Sequence, residues 1–216
     1  MTAASKLVGW GLRSFFGRGR KLMLILLKTL IQPKLDYCSQ LWSPADQMSI
    51  NKLESVQRHL INRISDRKLV GCNYWEKLEE LKLYSQERRR ERYMIIFLWK
   101  ISQEMVCGYN VQFSSGGRKG RTIVPSPIVK TSPALVRKAR ERSLGVRGAA
   151  IFNLLPDNIR NINTDHVDYF KNHLDVFLSA TPAQPTVAGL GRAAPAAFIL
   201  QYEHEHVRFV WYKESV

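Results

Sequence analysis

Between residues 46 and 65 the apolar side chains Ile50, Leu53, Val56, Leu60, Ile61 and Ile64 recur at steps of three and four. Only a helix places that spacing on one face, so this stretch must lay an apolar stripe against other elements. Lys52, Glu54, Gln57 and Arg58 are expected on the opposite, watered face, and Asp46 or Ser49 is placed to cap the N-terminus. A second long helix is expected over about 85–106. Met94, Leu98, Ile101 and Met105 form its stripe with Phe97 beside it, and Gln86 and Glu87 lie in its first turn.

The remaining elements follow from similar signals. Residues 21–32 read as a leucine-rich helix, apolar nearly all round and therefore buried, closed by Pro33. Leu35–Trp42 continues as helix after a kink. Short helices are expected over 74–81 and 144–155, and a last one over 165–178 is capped by Thr164, with Val167, Phe170, Leu174, Phe177 and Leu178 inward. Glycines and prolines punctuate 108–133, where the pattern allows one or two short strands, around Thr122–Val124. The fold class is mainly α: a helical bundle over 1–107, a small α+β segment with short strands and a closing helix over 108–178, and a tail over 179–216. The end of that tail, 198–216, is aromatic and strand-like.

Charge narrows the function. The net formal charge is +15, and residues 1–150 hold 28 basic against 11 acidic side chains. A body this basic attracts polyanions by releasing their counterions, so a nucleic-acid backbone leads the expected partners. Three basic clusters stand out. Arg88, Arg89, Arg90 and Arg92 crowd the start of the 85–106 helix, where like charges oppose the helix dipole and one another. Arg118, Lys119 and Arg121 lie in the glycine-rich stretch, and Arg140, Arg142 and Arg147 follow Arg137 and Lys138. Guanidinium forks suit phosphate oxygens, and their planar faces stack on bases. Together with Arg13, these residues are the candidate contacts, on the expectation that the packed helices bring them to one cationic groove.

Catalytic constellations are not evident. Two-metal polymerase chemistry needs converging carboxylates, and the sequence has no Asp-Asp pair. Its one adjacent acid pair, Glu79–Glu80, reads as a solvated helix face. His204 and His206 lack the helical spacing of a zinc protease, and Cys38, Cys72 and Cys107 form no CxxC pair, so neither a metal nor another cofactor is expected. Sparse, odd-numbered cysteines fit buried free thiols in a reducing, intracellular setting. The run Leu22–Leu27 is too short to span a bilayer, so no membrane partner is expected.

Four blocks of sequence carry a family resemblance. The first is Gly9-Trp-Gly-Leu-Arg-Ser-Phe15 with Leu27-Lys-Thr-Leu-Ile-Gln-Pro-Lys-Leu-Asp-Tyr-Cys-Ser-Gln-Leu-Trp-Ser-Pro44, and the second is Leu53-Glu-Ser-Val-Gln-Arg58. The third is Leu78-Glu-Glu-Leu-Lys-Leu-Tyr-Ser-Gln-Glu-Arg-Arg-Arg90. The fourth is Ser143-Leu-Gly-Val-Arg-Gly-Ala-Ala-Ile-Phe-Asn-Leu-Leu-Pro156 with Phe170-Lys-Asn-His-Leu174. In this order they resemble the region after the palm in LINE-type, non-LTR retrotransposon reverse transcriptases, with Phe152 where that family often carries Trp. The resemblance covers about residues 5–193. It implies a thumb-like helical bundle that contacts template and primer. The family's [FY]xDD hairpin is missing, which implies a truncated product that does not polymerise. A competing expectation is a non-functional or protein-interacting fragment. In that case Trp10, Phe15, Phe16 and Trp42 would be exposed and the chain would self-associate or bind a host protein.

Overall fold

The computed structural model describes residues 19–44, 46–108, 113–115, 121–124, 133–141 and 143–180. It is mainly helical, and its chain divides into two compact units at Arg90 and Glu91. Composition placed the break after residue 107, at the first glycine-rich stretch. The division instead falls inside the longest helix.

In the first unit, α1 (Arg20–Leu26) passes through one wide π-turn (Leu27–Ile31) into α2 (Gln32–Asp36). Pro33 therefore does not end the helix. It sits in the first turn of α2, where its missing N–H costs nothing, and the π-turn absorbs the change of register. The chain breaks five residues later than expected, at Cys38, whose φ of 50° is left-handed. The short α3 (Ser39–Trp42) follows. Nor is the leucine-rich stretch buried all round: Met23, Leu26, Leu27 and Ile31 face inward, while Lys21, Ile25 and Lys28 face water.

Asp46 caps α4 (Gln47–Ile61) by accepting a hydrogen bond from the Ser49 N–H at 2.9 Å. The expected stripe of α4 is inward, with Ile50, Val56, Leu60, Ile61 and Ile64 buried and Leu53 half-buried. A single 3₁₀ turn (Arg67–Leu69) leads to α5 (Tyr74–Glu80). Asn73 opens α5 with a reciprocal capping box: its side chain accepts from the Trp75 and Glu76 N–H groups, and Glu76 accepts from the Asn73 N–H. The core joins Met23, Leu27, Ile31 and Leu35 to Val56, Leu60, Ile61, Leu69, Leu78 and Leu83.

The longest helix, α6 (Gln86–Ser102), stops four residues short of the expected end, before a left-handed Glu104. In the second unit its residues Met94, Leu98, Trp99 and Ile101 are buried, whereas Met105, expected on the same stripe, lies beyond the helix and is exposed. β1 (Phe113–Ser115) pairs antiparallel with β2 (Arg121–Ile123), Phe113 opposite Ile123. The Asn153 side chain then extends β2 as a strand would: its Oδ1 accepts from the Ile123 N–H at 2.8 Å and its Nδ2 donates to the Ile123 carbonyl at 2.9 Å. The elements α7 (Ala134–Glu141), a π-turn (Leu144–Gly148), α8 (Ala149–Asn153), α9 (Asp157–Arg160) and α10 (Val167–Ala180) complete this unit. Phe152 is fully buried, and the Trp99 and Phe170 rings stack with centroids 4.5 Å apart. The Trp99 indole N–H donates to the Ile162 carbonyl at 3.0 Å, so this large ring is buried without an orphaned donor. On α10, Phe170, Leu174 and Leu178 are buried and Val167 and Phe177 are half-buried.

Candidate nucleic-acid interface

The arginines at the start of α6 are not a solvent-facing cluster. Arg88 is 2% exposed and Arg90 4%. The Arg90 Nη2 donates to the Leu35 carbonyl at 3.2 Å, and its guanidinium lies 4.4 Å from the centroid of the Trp42 ring. Arg89 Nε sits 2.6 Å from an Asp36 carboxylate oxygen. Arg92 reaches Asp175 through two N–H groups. The expectation that these four grip phosphate is corrected on physical grounds: protein carboxylates, a carbonyl and an indole already hold three of them, and Arg88 is enclosed. The same contacts explain how a helix tolerates four cations in its first turns, since paired charges no longer repel one another at full strength.

A buried carboxylate contributes to this arrangement. Glu54 and Gln57, expected on the watered face of α4, are 4% and 0% exposed. Glu54 accepts from the Tyr74 hydroxyl and, through Oε2, from the Gln86 N–H at 2.8 Å. The second of these bonds sets a carboxylate at the N-terminus of α6, where the helix dipole favours it. Gln57 Nε2 donates to the Tyr84 carbonyl at 3.0 Å and to the Tyr74 hydroxyl at 3.3 Å, while Gln57 Oε1 accepts from the Gln86 side chain. Burial pushes the Glu54 carboxyl above the usual carboxylate range, against its hydrogen bonds and the Arg58 and Arg90 charges. Burial, with Glu54 beside it, also raises the Tyr74 phenol. The sequence carried a weak trace of this network: Glu54, Gln57 and Ile61 lie at three- and four-residue steps, so the inward stripe of α4 is wider than its apolar residues alone.

The cations that do face water in the first unit were not singled out by clustering in sequence. From Gln47 to Cys72 they are Lys52, Arg58, Arg63, Arg67 and Lys68, with His59 among them. That stretch has two carboxylates. One is the buried Glu54, and the other, Asp66, accepts from Arg20 at 3.5 Å and from the Lys68 N–H at 3.0 Å. Lys52 and His59 lie two turns apart on one face of α4, about 10 Å along the axis, roughly the rise of three base pairs. Arg58 covers the Tyr74 ring at 4.7 Å while keeping its head in water. Among the described residues, Lys52, Arg63, Arg67 and Lys68 make no ion pair. The acid pair Glu79–Glu80 is exposed, and Glu80 is neutralised by Arg20 at 3.0 Å.

Of the other candidate contacts, Arg140 is exposed on α7 and Arg147 is half-buried, both in the second unit. Arg13, Arg118, Lys119 and Arg142 lie outside the described residues, as does the side chain of Arg121. Trp10, Phe15, Phe16, His204 and His206 lie outside them too. Cys38 and Cys72 are half-buried and Cys107 is exposed, so the thiols are less enclosed than expected; all three are free. Among the described residues no group of His, Cys, Asp and Glu could hold a metal, and no helix is long and apolar enough to cross a membrane. No protein-family model, no curated protein and no solved structure matches the chain.

Proposed function

We propose that this chain is a nucleic-acid-binding module of LINE-type reverse-transcriptase ancestry, which holds a duplex backbone without reading sequence and does not itself polymerise. The observation that carries the reading is the outward surface of α4 and the turn after it. It bears Lys52, Arg58, Arg63, Arg67 and Lys68, and Asp66, the one carboxylate of that stretch outside the core, is already engaged by Arg20. A rigid helix with unpaired cations supplies backbone contact, which positions a duplex and carries no sequence information. The sequence resemblance over four ordered blocks and the formal charge of +15 support the same reading. RNA–DNA hybrid, RNA duplex and DNA duplex all present the phosphate spacing such a surface needs, so binding is expected to all three, governed by salt.

The reading moves the binding surface away from the Arg88–Arg92 run. Fluorescence anisotropy with a labelled RNA–DNA hybrid tests it. Binding that weakens steeply with added salt supports the proposal. No binding at low salt, or binding that salt does not weaken, contradicts it.

A further inference from the structure

We propose that the turn from Tyr37 to Trp42 is a stacking platform for an unpaired base. The inference rests on the nucleic-acid reading above and adds a preference for single-stranded or splayed nucleotides.

The platform comes from the break in the helix. Cys38 takes its left-handed φ of 50°, and α3 follows with the Trp42 indole folded back onto the turn. The Trp42 indole N–H donates to the Tyr37 carbonyl at 2.5 Å. The Arg90 guanidinium lies 4.4 Å from the Trp42 ring centroid, and it is itself anchored on the Leu35 carbonyl. These contacts hold the indole in place before any ligand arrives, yet Trp42 remains 42% exposed and Tyr37 76%. An exposed aromatic ring already fixed by its surroundings loses little conformational freedom on stacking, and every nucleobase offers a π-face to it.

The charges around the turn favour a polyanion. Residues 28–44 contain Lys28 and Lys34 and a single carboxylate, Asp36, which Arg89 neutralises. Lys34 is exposed one helical turn before Tyr37, within reach of the phosphate of a nucleotide stacked there. Leu41 and Met48 are also exposed and would serve a protein partner, but the ring faces of Tyr37 and Trp42 together with the Lys34 ammonium suit a nucleotide. A single strand, with ring faces and phosphates, uses both.

The test is anisotropy on the full chain with a single-stranded oligouridylate and with a blunt RNA–DNA hybrid of the same length, comparing wild type, Tyr37→Ala and Tyr37→Phe. The exposed Tyr37 position lets both variants fold. Tyr37→Ala is expected to weaken single-strand binding by about tenfold, Tyr37→Phe to retain it, and both to bind the hybrid as wild type does. The platform is overturned if Tyr37→Ala binds the single strand normally or weakens both ligands equally. It is also overturned if sedimentation shows that wild type self-associates through this turn and Tyr37→Ala does not. Failure of wild type to bind either ligand removes the nucleic-acid reading along with the platform. Retained hybrid binding with an unaffected single-strand affinity removes the platform alone.

Discussion

Arg92 and Asp175 meet in a two-pronged ion pair, Nε 2.5 Å from one carboxylate oxygen and Nη2 2.7 Å from the other. Side-on pairing of this kind satisfies two donors and both acceptors at once and fixes the orientation of each group. A guanidinium held this way ties α6 to α10 inside the second unit and is occupied before any phosphate arrives. Arg89 meets Asp36 through Nε at 2.6 Å and so ties α6 to α2 within the first unit.

Asp175→Asn is therefore expected to lower stability while leaving nucleic-acid affinity unchanged. The carboxylate is 36% exposed and the guanidinium 17%, so solvent screens the pair, and the loss should be about 1 kcal/mol, at the upper end for surface pairs. Urea unfolding gives the stability, and anisotropy gives the affinity. A variant of wild-type stability with tightened binding would show that Arg92, once released, serves the ligand instead.

Arg90→Ala removes a buried donor to the Leu35 carbonyl and the cation against Trp42, and should cost about 2–3 kcal/mol. Because Trp42 loses its cover, its emission should also shift toward that of a wetter indole. Unfolding by urea, followed by fluorescence, reads both effects. An unchanged midpoint would contradict the burial of Arg90.

Glu54 should make the first unit less stable as pH rises. Its carboxyl is raised by burial, so the folded state holds the proton more tightly than the unfolded chain. The added stability is complete below the ordinary carboxylate range and is lost as pH climbs through the raised folded value. Glu54→Gln keeps an acceptor for the Gln86 N–H and a polar partner for Tyr74 but has no proton to lose. The stability difference, wild type minus Glu54→Gln, should fall across that window. A difference that is flat or rises with pH would contradict the account.

The periodicity of α4, the extent of α5, the apolar faces of α6 and α10 and the presence of a short strand near 122 were all legible in the sequence. These signals are local, set by caps and by three- and four-residue spacing. The fate of the arginines was not legible. Asp36 lies 53 residues from Arg89 and Asp175 lies 83 from Arg92, so whether a run of cations faces water or partners is decided by tertiary contacts. Glu54 and Gln57 were misplaced for a related reason. A polar residue at the edge of an apolar stripe can turn either way, and partners brought by other elements, Tyr74 and Gln86, decide which. Pro33 misled because the break expected at a proline assumes an α-helical register, which the π-turn before it relaxes.

Gly148 is a packing glycine rather than a flexible one. A Cβ there would stand 2.9 Å from Leu98 Cδ1, 3.0 Å from Leu144 Cδ1 and 3.2 Å from Met94 Cγ. Overpacking of this kind costs about 1–3 kcal/mol, and the helical backbone recovers about 1 kcal/mol when glycine becomes alanine. Gly148→Ala should therefore destabilise by up to about 2 kcal/mol, measured as a fall in the urea midpoint with an unchanged slope. A stabilised variant would show that α6 and the turn at 144–148 lie farther apart.

The salt dependence of binding by Lys52→Ala/Arg63→Ala/Arg67→Ala/Lys68→Ala tests the central claim most directly, compared with wild type on one RNA–DNA hybrid. Each phosphate contact contributes roughly 0.7–0.9 to the slope of log affinity against log salt concentration. Removing four should flatten that slope by about 3 and weaken binding at low salt, with no change in the urea midpoint, because these side chains face water. A slope equal to wild type would show that the outward surface of α4 and its following turn does not hold the backbone.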